Sequence, residues 1–366
     1  MDFFRKLFSK APELGAIDIG SNMIKVAIVN EKKGAPPELY RYAQCATPPM
    51  TIKDGSIVDA QLLGETIAGL LASSDIQVGK LVSAVAGQQV VIRPIQMTKM
   101  KQSEVNQAIK FEAERYLPYS VTDASVSGMI INEHVDERSM EVLLIAVPNE
   151  IVANAREVVK MAEVEPGPID LEPLALFRSL KHCVSDEQMA GTLALINLGA
   201  SFSSINIFRQ RVLRHNRTIS IAGNSFTKAI GQSLNLSFEE AEKIKKEKGV
   251  IRVENNADPV PPTTMRIFNL IVPVLTELVT EIQRSFDYYR SRYKDGAVDL
   301  VILSGGTAKF KNIDQFLANE LGVKAEIANP FRGINAQKVP GLSQADLADI
   351  APNAMVALGL ALREAQ

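Results

Sequence analysis

Residues 16–26 read Ala-Ile-Asp-Ile-Gly-Ser-Asn-Met-Ile-Lys-Val, and residues 195–205 read Leu-Ile-Asn-Leu-Gly-Ala-Ser-Phe-Ser-Ser-Ile. Each stretch starts as an apolar strand and ends on one polar side chain. It then turns at a glycine followed by small residues and returns as a second alternating strand. Two hairpins of one design in a single chain imply two related half-molecules that face a shared cleft. A glycine turn of this kind exposes successive backbone N–H groups, which cradle anions such as phosphate. The copies differ at their polar position, which is Asp18 in the first and Asn197 in the second.

The 366 residues suffice for two or three domains. A net charge of −2 gives no basic surplus for nucleic acid. Cys45 and Cys183 form no CxxC pair, as suits a reducing compartment, and the scattered His134, His182 and His215 give no zinc pattern. No apolar run approaches the ~20 residues that span a bilayer. Met1–Lys10 carries Phe4, Leu7 and Phe8 on one helical face with Arg5, Lys6 and Lys10 beside them. It lacks the features of a signal peptide and reads as a short amphipathic helix packed on its own domain or on a partner, with a membrane surface as the alternative for a segment of only about two turns.

Strand periodicity over 14–30 is followed by helical spacing from Asp59 to Leu71 and a short strand from Lys80 to Ala86. From Arg93 the pattern becomes strand, helix, strand, strand, helix over about 75 residues, the signature of a small inserted α+β subdomain. Its first helix is expected over 104–116 with Ser103 as N-cap, burying Val105, Ala108 and Ile109. Its last helix is expected over 151–162. Further helices are expected over 174–181, 223–234 and 238–248, and a polar, Pro-rich loop over 255–262. Residues 265–293 read as a long helix that Pro273 kinks or divides. A strand over 298–303 leads into Ser304-Gly305-Gly306-Thr307, and residues 353–363 form a final helix rich in Ala and Gly.

Asp18 stands at a strand end, where a hard oxygen ligand can hold Mg²⁺ through its waters. Lys25 on the returning strand can reach the β- and γ-phosphates of a nucleotide. The GxxxxGK[ST] loop is absent.

These residues resemble the actin, Hsp70 and sugar-kinase superfamily. Asp18-Ile19-Gly20-Ser21-Asn22-Met23-Ile24-Lys25 is similar to its first phosphate loop, and Asn197 to Ser203 to its second. Ser304 to Thr307 resembles its adenosine loop, where paired glycines let backbone approach the nucleoside. Asp170 to Leu176 and Asn353 to Leu360 resemble its two connecting helices, and Ala241 to Lys245 the helix that contacts ribose and adenine. The resemblance implies an α/β, actin-like (ribonuclease H-like) two-lobed ATPase fold with an inserted α+β subdomain. It implies ATP with Mg²⁺, held by Asp18, Gly20, Ser21, Asn22 and Lys25 on one side. Asn197, Gly199, Ser201, Ser203, Glu242, Lys245, Gly305, Gly306 and Thr307 hold it on the other. Asp18 is the metal residue, acting through water. Glu172 takes the role of orienting the attacking water, with Asn197 beside it.

The same resemblance divides the chain. An amphipathic segment (1–13) precedes the first part of subdomain 1A with the first phosphate loop (14–92). The inserted 1C-type subdomain (93–167) and the first connecting helix (168–190) follow. Subdomain 2A (191–235), 2B (236–296), 2A with the adenosine loop (297–345) and the second connecting helix (346–366) complete it.

Within the superfamily, residues 91–100, the segment Phe111-Glu112-Ala113-Glu114-Arg115-Tyr116-Leu117-Pro118-Tyr119, and Phe226 to Ile230 are similar to PilM, the actin-like family of type IV pilus assembly. This implies a cytoplasmic adaptor recruited to the inner face of the cytoplasmic membrane by the cytoplasmic N-terminal peptide of a PilN-type partner. That peptide is expected between the first subdomain and the insert. Pilus motor or platform proteins and a second copy of the chain are further partners; nucleic acid is not. Asn197 departs from the usual acidic residue, and an amide cannot act as a base. Binding with very slow or absent hydrolysis is therefore expected, with the Asn197 NH₂ donating to a phosphate oxygen. Ala200 and Ser201 imply a looser cradle. Two other classes are an FtsA-like self-polymerising protein and a small-molecule kinase. FtsA chains carry a linker and a membrane-targeting helix after the second connecting helix, whereas this sequence ends there. A kinase needs an additional carboxylate base, which the sequence does not supply.

Overall fold

The computed structural model describes residues 14–31, 34–53, 55–253, 261–293 and 296–363. The amphipathic segment 1–13 and most of the 255–262 loop lie outside them. The first lobe contains strands β1 (Leu14–Ile19), β2 (Met23–Asn30) and β3 (Glu38–Ala46), helix α1 (Ala60–Ser73) and strand β4 (Lys80–Val85). An excursion follows: β5 (Val91–Thr98), α2 (Gln102–Ala113), β6 (Ala124–Asn132) and β7 (Ser139–Pro148). The chain returns through α3 (Asn149–Met161) and β8 (Glu165–Leu171) to α4 (Glu172–Leu180). The second lobe runs through β9 (Thr192–Leu198), β10 (Ser203–Arg209), β11 (Val212–Ile219), α5 (Gly223–Leu234), α6 (Phe238–Lys248), α7 (Pro262–Arg292), β12 (Leu300–Ser304), α8 (Ile313–Leu321) and β13 (Ala325–Ile327). Helix α9 (Met355–Ala361) follows.

The duplication inferred from the hairpins extends to whole sheets. The first sheet has the order β8-β4-β1-β2-β3 and the second β13-β12-β9-β10-β11. In each, an antiparallel three-strand meander is extended by two parallel strands. Strands β9 and β12, parallel neighbours inside the second sheet, are buried along almost their whole length and therefore read as nearly continuous apolar runs rather than alternating ones. On β9, Ala194, Ile196 and Leu198 enter the cluster beneath α5 and α7, while Leu193 and Leu195 enter the cluster around α4 and α9.

Helices α4 and α9 thus lie between the lobes, and small residues let them cross closely. A Cβ on Gly359 would sit 1.8 Å from the Ala175 carbonyl oxygen. The Ser179 hydroxyl donates to the Met355 carbonyl at 2.6 Å. The residues 353–363 expected to form a helix do so over Met355–Ala361.

Three expectations are corrected. The first helix of the insert begins at Gln102 behind Lys101 and ends at Ala113. Ser103 is not its cap. Glu104 accepts from the Lys101 N–H at 2.7 Å, and Gln102 is tied to β6 through the Gly128 carbonyl at 2.6 Å, which pulls the start forward. The expected long helix forms as α7, and of the two outcomes expected at Pro273 division is excluded, since α7 continues over 31 residues. Proline removes the bond to the carbonyl four residues back. That carbonyl belongs to Asn269, and both residues are exposed, so water can satisfy it. Ile267, Ile271 and Leu275 meanwhile anchor the helix to the sheet on both sides. The third correction is to the insert's far boundary. Its own sheet is β5-β7-β6, covered by α2. Residues 149–167 belong to the first lobe: Val158, Val159 and Ala162 pack with Leu63 and Ile67 of α1, and β8 pairs with β4.

Candidate functional site

A cleft of about 680 Å³ opens between the lobes, within the usual range for a small-molecule site. All fifteen residues expected in the site line it: Asp18, Gly20, Ser21, Asn22, Lys25, Glu172, Asn197, Gly199, Ser201, Ser203, Glu242, Lys245, Gly305, Gly306 and Thr307. Sheet topology explains the convergence. The turn of each hairpin joins the central strand of its five-stranded sheet to the next, and the lobes face one another across α4 and α9.

The two turns are built alike. The Gly20 N–H donates to the Met23 carbonyl at 3.1 Å, and the Gly199 N–H to the Phe202 carbonyl at 3.1 Å. In both glycines a Cβ would strike that same carbonyl, at 2.9 and 2.5 Å. The Lys25 ammonium lies 2.7 Å from Asp18 Oδ2, with both side chains largely buried. On the opposite wall, Lys245 Nζ contacts Glu242 at 2.5 Å, Thr227 Oγ1 at 2.8 Å and the Gly223 carbonyl at 3.1 Å. Burial pulls the Lys245 ammonium below its ordinary value. Burial works to raise Glu242, but the bonds from Lys245 and Thr227 outweigh it and hold the carboxyl low. The Gly305 backbone has φ +87°, and a Cβ there would lie 2.4 Å from the Leu198 carbonyl, so glycine is required.

At the cleft floor Glu172, the first residue of α4, accepts from Asn197 Nδ2 at 2.9 Å and from the Ser204 hydroxyl at 3.1 Å. The Asn197 oxygen in turn accepts from Ser304 at 3.2 Å. Burial pushes the Glu172 carboxyl up, and Asp18 adds to this, while the two donors oppose it. The Asn197 amide is held between Glu172 and Ser304, with one of its two N–H groups engaged by Glu172. The expectation for Ser203 is revised. Its hydroxyl donates to the Ile221 carbonyl at 2.7 Å and its side chain is fully buried, so any contribution to the cleft comes from its backbone.

Several lining residues escaped the sequence reading. The N–H groups of Gly223 and Asn224 donate to the Gly199 and Ala200 carbonyls at 3.0 and 2.8 Å, setting the positive end of α5 beside the second turn. The Ala222-Gly223-Asn224 triplet before a periodic helix was the available signal. Ala86 and Gly87, after β4, carried none, and Asn353, before α9, was read only as the start of the second connecting helix. The Asn353 side-chain oxygen is buried without a partner among the described residues, beside Gly306.

Two N–H-bearing turns, a helix N-terminus and the lysines Lys25 and Lys245 make a site suited to a polyphosphate. No group of three His, Cys, Asp or Glu side chains able to enclose a metal exists among the described residues. A Mg²⁺ that keeps most of its waters and bridges one carboxylate to phosphates still fits Asp18.

Residues 16–365 match the family described as type IV pilus assembly protein PilM. The chain belongs to the PilM family. A chain of a solved PilM–PilN type IV pilus biogenesis complex is 28% identical and superposes with a TM-score of 0.84 over 96% of this chain and 98% of its own. MreB5 of Spiroplasma citri bound to ADP, 14% identical, superposes with a TM-score of 0.50 over 94% of each chain, a likeness of fold. These superpositions establish the two-lobed actin-like architecture expected of a PilM. Among curated proteins, the cell division protein FtsA of Streptococcus pneumoniae serotype 2 is 22% identical over 350 residues, 86% of this chain and 75% of its own. The FtsA of Pseudomonas aeruginosa is 30% identical over 181 residues, 46% of this chain and 42% of its own. No helix among the described residues is long and apolar enough to cross a membrane.

Proposed function

We propose that this PilM-family protein is a nucleotide-loaded adaptor of the type IV pilus inner-membrane assembly platform. It binds ATP with Mg²⁺ in the cleft and is recruited from the cytoplasm to the membrane by the cytoplasmic N-terminal segment of a PilN-type partner. The observation that carries the nucleotide part is the convergence of both glycine turns, the Lys25–Asp18 pair and the Lys245–Glu242 pair on one cleft. Family membership and the likeness to the solved PilM–PilN complex carry the pilus part.

In this reading the turn amides and Lys25 hold the phosphates. The Lys245–Glu242 pair and the Gly305–Gly306 backbone hold the nucleoside, and Asp18 holds the hydrated Mg²⁺. The cation neutralises phosphate charge when bound. Glu172 accepts two hydrogen bonds and stands against an amide, so a strong base is missing beside the γ-phosphate position. Turnover is accordingly very slow or absent.

Calorimetric titration with MgATP, and then with the N-terminal peptide of the PilN-type neighbour, tests the reading. Affinities at micromolar level or tighter are expected. A null result in both would remove it. A phosphate-release assay tests the slow chemistry, and wild-type turnover on the order of 1 s⁻¹ would overturn that part. The similarity to FtsA supports a second reading, nucleotide-dependent self-assembly. Light scattering that rises on adding MgATP would favour it.

A further inference from the structure

A second contact joins the lobes, away from the connecting helices. Glu141, on the central strand β7 of the insert, is buried and forms an ion pair with Arg214 of β11 in the second lobe. The Tyr293 hydroxyl, at the end of α7, donates to the same carboxylate at 3.3 Å. Beside it, Arg292 Nη2 donates to the Pro94 carbonyl of β5 at 2.8 Å. Pro94 lies on the edge strand of the insert sheet, where its missing N–H costs nothing and its carbonyl is free for a partner outside the sheet.

Both sides of this contact run directly from the cleft. Gly87 lines the cleft, and β5 with Pro94 begins four residues later. Thr218 also lines the cleft and lies on β11 four residues from Arg214, about 13 Å along a strand. The two lobes also touch across the cleft: Phe202 of the second turn lies against Gly55 of the first lobe, where a Cβ would come within 2.5 Å of the ring. Strand β11 therefore connects one cleft wall to the buried ion pair, and the turn after Gly87 with β5 connects the other wall to the Arg292–Pro94 bond. Next to Arg214, the His215 ring lies 5.1 Å from the Tyr288 ring, and its Nε2 is buried without a partner among the described residues. An unpaired buried nitrogen costs stability, which suits a contact made in one arrangement and released in another.

We propose that Glu141, Arg214 and Tyr293, with the Arg292–Pro94 bond, form a latch that engages when the cleft closes on nucleotide and ties the insert to the second lobe. The latch makes the position of the insert depend on cleft occupancy. By linkage, a partner that displaces the insert changes nucleotide affinity by the same factor. This rests on the nucleotide reading of the cleft.

The test is calorimetry with MgADP on wild type, Glu141→Gln, Arg214→Gln and the double variant. Each variant is checked for folding by circular dichroism. Releasing the latch lowers the population of the closed form, and apparent affinity falls in proportion. Each single variant is expected to bind about 5–30-fold more weakly, a typical allosteric coupling, and the double variant no more weakly than the singles. Nucleotide should also slow amide exchange over 91–98 in the wild type but not in the variants. Folded variants within twofold of wild type, or singles whose effects add, would overturn the latch alone. A wild type that binds no nucleotide would overturn the cleft reading and the latch together. If a charge-removing variant does not fold, Tyr293→Phe removes one hydroxyl donor, and a loss of roughly 2–5-fold is expected. Unchanged affinity in that variant would equally refute the latch.

Discussion

Replacing Asn197 with Asp is the most demanding test of the cleft floor. Asn197 Nδ2 donates to Glu172 Oε1 across 2.9 Å, so an aspartate there faces a second carboxylate at hydrogen-bond distance. Two charges about 4 Å apart repel by about 4 kcal/mol at the effective dielectric of a protein site. Below about pH 7 the pair lowers this cost by keeping one proton. Holding a carboxyl of ordinary pKa near 4 protonated at pH 7 costs about 4 kcal/mol, at ~1.36 per unit, and about 1.4 at pH 5. The folded variant thus carries one proton more than its unfolded chain between these values. With the folded pKa raised, stability is intact below the unfolded pKa and is lost as pH rises. Thermal or urea unfolding between pH 5 and 7 should show Asn197→Asp diverging from wild type by about 1.4 kcal/mol per pH unit, with the divergence levelling off above about pH 7. The swapped variant Glu172→Gln with Asn197→Asp restores one donor and one charge and should abolish that slope. Parallel pH profiles for Asn197→Asp and wild type, or a slope that survives the swap, would refute the proposed contact.

Further predictions follow from single contacts. Burial holds His215 neutral, with its pKa pulled down to about 4 by desolvation and by Arg217 and Arg292. The unfolded chain takes up this proton first, so stability is lost as pH falls from 6.5 towards 4; His215→Phe should flatten that part of an unfolding-versus-pH curve. Gly359→Ala would place a methyl 1.8 Å from the Ala175 carbonyl, forcing the connecting helices apart, and should cost roughly 1–3 kcal/mol in denaturant unfolding. Lys25→Ala removes the cation of the first turn and should weaken MgATP binding ~30-fold or more in calorimetry, about 2 kcal/mol. Unchanged affinity would displace Lys25 from the phosphate site.

Legibility tracked how local each signal was. The hairpins, α5 and α6 were readable because their apolar period and their turn or capping residues are consecutive in the chain. Helices α5 and α6 span the expected 223–234 and 238–248. Helix α3 had an equally clear period, but period identifies a buried face and not what buries it. Val158 and Val159 meet α1 rather than the insert sheet. Ser103 was a plausible cap by type, yet Gln102 found a partner 26 residues away on β6.

The site divides in the same way. Gly20, Gly199 and Gly305 were identifiable because backbone approach leaves a glycine in the sequence, and Asp18 and Lys25 because they flank one turn. The state of Asn197 was not readable, since its amide is set by Glu172, 25 residues earlier, and by Ser304, 107 residues later. The ion pair of Glu141 with Arg214 spans 73 residues and has no local pattern. Local pattern alone specifies the set of strands, helices and turns, their duplication, and the residue types available to a polyphosphate. Which polar groups are already engaged, and how the insert meets the second lobe, emerge only once the sheets are packed. Hydrogen bonds and ion pairs between distant segments depend on how the sheets pack, and local periodicity carries no record of that packing.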